Sequence, residues 1–83
     1  MAKSDIRTYW SSNLQLFVTI PDDTTLPMIR LGRNTLGEEY FHDAQGQAYR
    51  YEPVLERMMP VQLGNGVFAD AMARNLREQE AMK

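Results

Sequence analysis

Cysteine is missing from these 83 residues, lysine occurs twice, and histidine and tryptophan occur once each. Without a thiol the chain has neither a disulfide staple nor a thiolate zinc site, so a packed core or a partner subunit must supply its stability. A single histidine leaves no His-rich metal set, and no metal or other cofactor is expected. No apolar run approaches the roughly 20 residues that cross a bilayer, and the N-terminus lacks the apolar stretch of an export signal. A soluble, cytoplasmic protein with no membrane partner is the expectation by elimination. Positive charge is also scarce: the net charge is -2, which gives no broad field for a polyanion. Internal repeats, heptads and low-complexity tracts are absent too.

What is present is an apolar fraction of 43%, enough to demand one packed centre in a chain of this length. Seven of the nine basic residues are arginine, whose planar fork suits structured contacts better than lysine does. The expected organisation is an N-terminal arm over 1–8 and a single β-rich domain over 9–83.

Glu38 to Glu52 is the most informative stretch. Asp43 and Gly46 suit the first and fourth positions of a type I turn, with Gly46 taking a left-handed bulge conformation. Placing 43 opposite 47 sets 41 against 49 and 39 against 51. Phe41, Tyr49 and Tyr51 then share one face, the expected core side, and Tyr40, His42, Ala48 and Arg50 share the other. A slip of one residue would bring Tyr40 opposite Tyr49 instead.

Leu14, Leu16, Val18 and Ile20 alternate with Gln15, Phe17 and Thr19, the pattern of a half-buried strand whose even positions point inward. Phe17, on the other side, meets a second layer such as the C-terminal helix or joins an exposed patch. Pro27 places any strand at Met28–Leu31 after the proline or at a sheet edge. Gly32 to Gly37 reads as a mobile connection. It lacks the lysine and hydroxyl of a phosphate loop and is followed by Glu38 and Glu39, which repel phosphates.

Pro53 opens, and Pro60 closes, a segment expected as one helical turn that gathers Val54, Leu55, Met58 and Met59 for packing; an extended strand is the alternative. Val61 to Leu63 is then a short β segment. From Val67 to Glu80, Phe68, Met72 and Leu76 recur every four residues opposite Asp70, Arg74, Arg77, Glu78 and Glu80, which predicts an amphipathic helix over 67–80. The fold class is therefore α+β: a small antiparallel sheet or partly open barrel, SH3-like or OB-like by analogy of strand count, capped by that helix, with Leu14, Leu16, Val18 and Ile20 pointing inward against the Phe41, Tyr49 and Tyr51 side and the apolar stripe of the helix.

Catalytic chemistry has little to stand on. Neighbouring strand residues point to opposite faces, so His42 and Asp43 form no automatic dyad, and Glu38 and Glu39 diverge in the same way. Ser4, Ser11 and Ser12 lack a nucleophile elbow. No catalytic, metal or cofactor residue is assigned, and a small hydrolytic enzyme ranks last. The leading expectation is a noncatalytic protein-interaction or assembly module, an inhibitor or adaptor that binds a protein partner and can also pair as a homodimer. Its surface is expected from Tyr9, Trp10, Arg30, Arg33, Tyr40 and Arg50, combining aromatic contact area with arginine forks. The same patch supports nucleic-acid binding as an alternative, weakened by the acids at Glu38, Glu39, Glu52 and Glu56 that interrupt it.

Overall fold

Across residues 6–82, which the computed structural model describes, the chain forms β1 (Ile6–Ser11), β2 (Leu16–Pro21), β3 (Ile29–Arg33), β4 (Glu39–His42), β5 (Ala48–Glu52), β6 (Arg57–Val61) and α1 (Val67–Ala81). The strands make one sheet in the order β1-β2-β6-β5-β4-β3. Four junctions are antiparallel and the β2–β6 junction is parallel, so the sheet is mixed. It curls into a half-barrel with one C-terminal helix, a small α+β fold.

The central hairpin forms in the expected register. Phe41 lies opposite Tyr49, Tyr40 opposite Arg50 and His42 opposite Ala48. Gly46 N–H donates to the Asp43 carbonyl at 3.2 Å, and Gly46 has φ 91°, which a side chain would resist. Val18 and Ile20 turn inward beside Phe41, Tyr49, Tyr51, Met58 and Met28, with Tyr9, Leu14 and Leu16 packed against them. Each such burial contributes about 1.5–3 kcal/mol, so the inner side of the curl is the main source of stability.

Several expectations change. Of the expected 1–8 arm, Ile6 to Thr8 belong to β1, drawn in by pairing with β2, while residues 1–5 lie outside the described residues. The helical turn expected after Pro53 is instead a tight turn over 53–56, stabilised where Val54 N–H donates to Glu52 Oε2 at 2.6 Å, followed by β6. Met58 enters the core, but Val54 and Leu55 are exposed rather than packed, because the turn carries them past the end of the sheet. Another concerns α1, whose apolar stripe was expected against the same core.

Helix α1 packs on the outer face instead, against β3 and β4. Phe68 tilts over Tyr40 with ring centroids 5.1 Å apart, and Asn75 reaches His42. The backbone makes room for it. Gly32 sits at a bulge in β3 with φ 145°, and a Cβ there would stand 3.0 Å from Phe68 Cε1. Thus Gly32 and Arg33 of the expected mobile connection are strand, and the inner face closes largely on itself.

One end of the half-barrel is sealed by the connection 22–28. Thr24 Oγ1 lies 3.0 Å from the Tyr49 hydroxyl, Thr25 N–H donates to Asp43 Oδ2 at 3.2 Å, and Ala44 N–H donates to the Thr25 carbonyl at 2.8 Å. Arg7 adds a hydrogen bond to the Thr24 carbonyl from β1. The turns 12–15, 34–38 and 53–56 gather at the opposite end, where Leu14, Leu36 and Val54 line one cleft.

Candidate functional site

Alternation along the strands decides which side chains can meet. Tyr9 pairs with Val18 on the inner side and is half-buried against the core. Trp10 points outward. Arg30 and Arg33 lie at the β3 edge, while Tyr40 and Arg50 stand opposite each other on the outer side. The six expected surface residues are therefore spread over two faces and across the width of the sheet; they form no single patch.

The arginines are turned toward protein carboxylates. Arg30 Nε donates to Glu39 Oε1 and Arg33 Nη2 to Glu39 Oε2, each at 3.0 Å. Burial alone would raise the Glu39 pKa, but hydrogen bonds from Arg33 and Arg30, with their positive charges, hold it below the ordinary carboxylate value. Arg50 Nη1 stands 3.6 Å from Glu38 and 3.8 Å from Glu52. Tyr40 is covered by Phe68.

His42 is completely buried between sheet and helix. Its Nδ1 donates to the Asp43 carbonyl at 2.8 Å, and its Nε2 accepts from Asn75 Nδ2 at 3.1 Å. Both ring nitrogens are spoken for by structural partners. Glu38 and Glu39 diverge, one toward Arg50 and Asn34, the other toward the β3 arginines. A cleft of about 360 Å³ at the start of α1 is lined by Asn34, Tyr40, Gln62, Asn65 and Phe68 among others, with no carboxylate or imidazole in its wall. Among the described residues no three His, Asp or Glu side chains converge to hold a metal, and no helix is long and apolar enough to cross a membrane.

The outer side of β1, β2 and β6 is different. Trp10 lies directly opposite Phe17, and the two rings meet edge to face with centroids 5.1 Å apart and an interplanar angle of 66°. Trp10 is 48% and Phe17 63% exposed, so about half of this aromatic area is open to the outside instead of entering the core. Leu55, 61% exposed, lies in the turn that enters β6 alongside β2. In β6 itself Arg57 pairs with Thr19 of β2 and Glu52 of β5, which puts it on the same outer side as Phe17.

Arg57 has an unusual environment. Its Nε is inaccessible to water and has no hydrogen-bond partner among the described residues. The carboxylate across the ladder, Glu52, is taken by the Val54 amide and the Arg50 guanidinium. Among the described residues Arg57 makes no ion pair, unlike Arg30, Arg33 and Arg50. The helical expectation for 53–60 hid this residue; strand alternation applied to 57–61 sets Arg57 and Met59 on the side opposite Met58. The arrangement thus offers aromatic area beside a cation that no carboxylate among the described residues pairs. Comparison with protein-family models, with curated proteins and with solved structures finds no match to this chain.

Proposed function

We propose that this protein is a noncatalytic protein-interaction module, an inhibitor or adaptor in type, that binds through the outer side of β1, β2 and β6. The observation that carries the proposal is the outward Trp10–Phe17 pair. Edge-to-face rings contribute about 0.5–1.5 kcal/mol beyond their buried area, and Trp and Arg dominate the residues on which protein interfaces depend. Rings already held against each other across a strand pair lose little freedom when a partner arrives. The arginines of the expected patch face Glu38, Glu39 and Glu52, which weakens the case for phosphate contact. Full burial of His42 with both nitrogens bonded weakens the case for acid or base catalysis.

The test is capture of partners from host extract on immobilised protein, comparing wild type with a Trp10→Ala/Phe17→Ala double variant. Both positions are exposed, so the variant is expected to keep the wild-type circular dichroism spectrum. Retention of a protein that resists added salt and is lost in the double variant supports the proposal. Equal retention by both proteins, or retention of nucleic acid that salt removes, refutes it.

A further inference from the structure

We infer that the partner segment is acidic and apolar together: an aliphatic or aromatic side chain seats on Trp10 and Phe17 while a nearby carboxylate pairs with Arg57. This rests on the proposed interaction face and adds the chemistry of what occupies it. The argument begins with charge. Arg57 sits between β2 and β5 with its Nε sealed from water, and the nearest carboxylate across the ladder is engaged elsewhere. A guanidinium held this way has lost part of its hydration without a compensating anion among the described residues. An incoming carboxylate on its outer nitrogens restores that balance through a charge-assisted hydrogen bond. A neutral apolar segment leaves the cation covered and unpaired, and a basic one adds repulsion, so the site discriminates by penalty as well as by attraction.

Geometry then sets the spacing. Trp10 and Arg57 stand on strands separated only by β2, where Trp10 is level with Phe17 and Arg57 with Thr19, two residues further along. Two strand spacings of about 10 Å in all and a two-residue offset of about 7 Å set them about 12 Å apart, which an extended partner crossing the strands obliquely covers in about three or four residues. The expected recognition element is therefore an apolar side chain about three or four positions from Asp or Glu, laid obliquely across the strands. A second copy of this chain and a wholly apolar partner are the competing occupants.

The experiment is selection of a phage-displayed library of random short peptides on the immobilised full chain, followed by isothermal titration of the enriched peptides synthesised individually. Peptides carrying Asp or Glu at that spacing from an apolar residue are expected. Their affinity should fall by at least about tenfold when the peptide acid becomes its amide, or when Arg57→Gln is introduced, with part of the loss recovered in Arg57→Lys. Melting followed by circular dichroism checks that each variant is folded. Peptides that need Trp10 and Phe17 but ignore the acid and Arg57→Gln overturn this inference while leaving the interaction face intact. Failure to enrich any peptide over the Trp10→Ala/Phe17→Ala variant, with the chain monomeric in light scattering, overturns both. A dimer in light scattering that Trp10→Ala dissociates, with no peptide bound by wild type, assigns the face to a second copy and overturns the inference as well.

Discussion

Removing the Asp43 carboxylate should cost more than removing any surface charge. Asp43 is 2% exposed and its Oδ1 accepts the amides of Gln45 and Gln47 at 3.0 and 2.9 Å. Oδ2 accepts Thr25 N–H at 3.2 Å and lies 3.4 Å from the Tyr49 hydroxyl. In Asp43→Ala the hydroxyl keeps Thr24 as partner, and the two turn amides reach water in part, but the Thr25 amide loses its acceptor inside the sealed end. Taking about 1–3 kcal/mol for an orphaned donor and about half a kcal/mol for each turn amide gives a loss of about 2–4 kcal/mol. A chain of this length holds about 4–12 kcal/mol in total, so the variant stands near its unfolding limit. Urea unfolding followed by far-ultraviolet circular dichroism measures the loss. Asp43→Asn should fall between the two, keeping one acceptor oxygen but setting an amide N–H₂ toward the Thr25 donor. A loss below about 1 kcal/mol in Asp43→Ala would refute the reasoning, because the orphaned amide alone is expected to exceed that.

Three further outcomes follow from the packing. Gly32→Ala combines a strained φ with a Cβ 3.0 Å from the Phe68 ring, so a loss of about 1–3 kcal/mol and weakened amide-exchange protection in α1 are expected; an unchanged melt contradicts the close approach. Met58→Ala, in the core, should cost about 2–5 kcal/mol, whereas Val54→Ser, on the exposed turn, should stay within about 0.5 kcal/mol of wild type in the same urea titration. Burial raises the pKa of the Tyr49 and Tyr51 phenols above the ordinary value of 10.0. The folded state then holds protons that the unfolded chain has released, so stability is intact below pH 10 and falls as pH rises above it. Tyrosinate absorbance should show two late-titrating phenols, one fewer in Tyr49→Phe.

Local rules made the hairpin legible. Asp43 and Gly46 define a turn, and the turn fixes which residue faces which, so the inward set Phe41, Tyr49 and Tyr51 followed without tertiary information. The alternation of Leu16, Val18 and Ile20 worked for the same reason, and it left Phe17 on the outside. β6 was hidden by Pro53 ahead of it and Pro60 within it. Pro60 lies opposite Tyr49, and on the β2 side the ladder is registered only at Arg57, so the missing N–H there breaks no rung of that junction. Ile6 to Thr8 have no periodicity of their own and become strand only because β2 offers a partner. The interaction residues divided similarly: Trp10 was readable as a large ring near a polar break, but the use of Arg30, Arg33 and Arg50 as partners for acids depends on which carboxylates the sheet brings alongside. Arg57 became visible only once its strand was known.

The parallel junction also shapes how this protein responds to load. The β1–β2 hairpin joins the four-strand meander through a single registered pair, Thr19 with Arg57, where the Thr19 N–H donates to the Glu56 carbonyl at 2.9 Å. Trp10 and Phe17 ride on the hairpin side of that joint and Arg57 on the other. Anything gripping all three would act as a clasp across the thinnest part of the sheet, so occupancy and mechanical cohesion would rise together, and prying the hairpin loose would be the natural route to letting go.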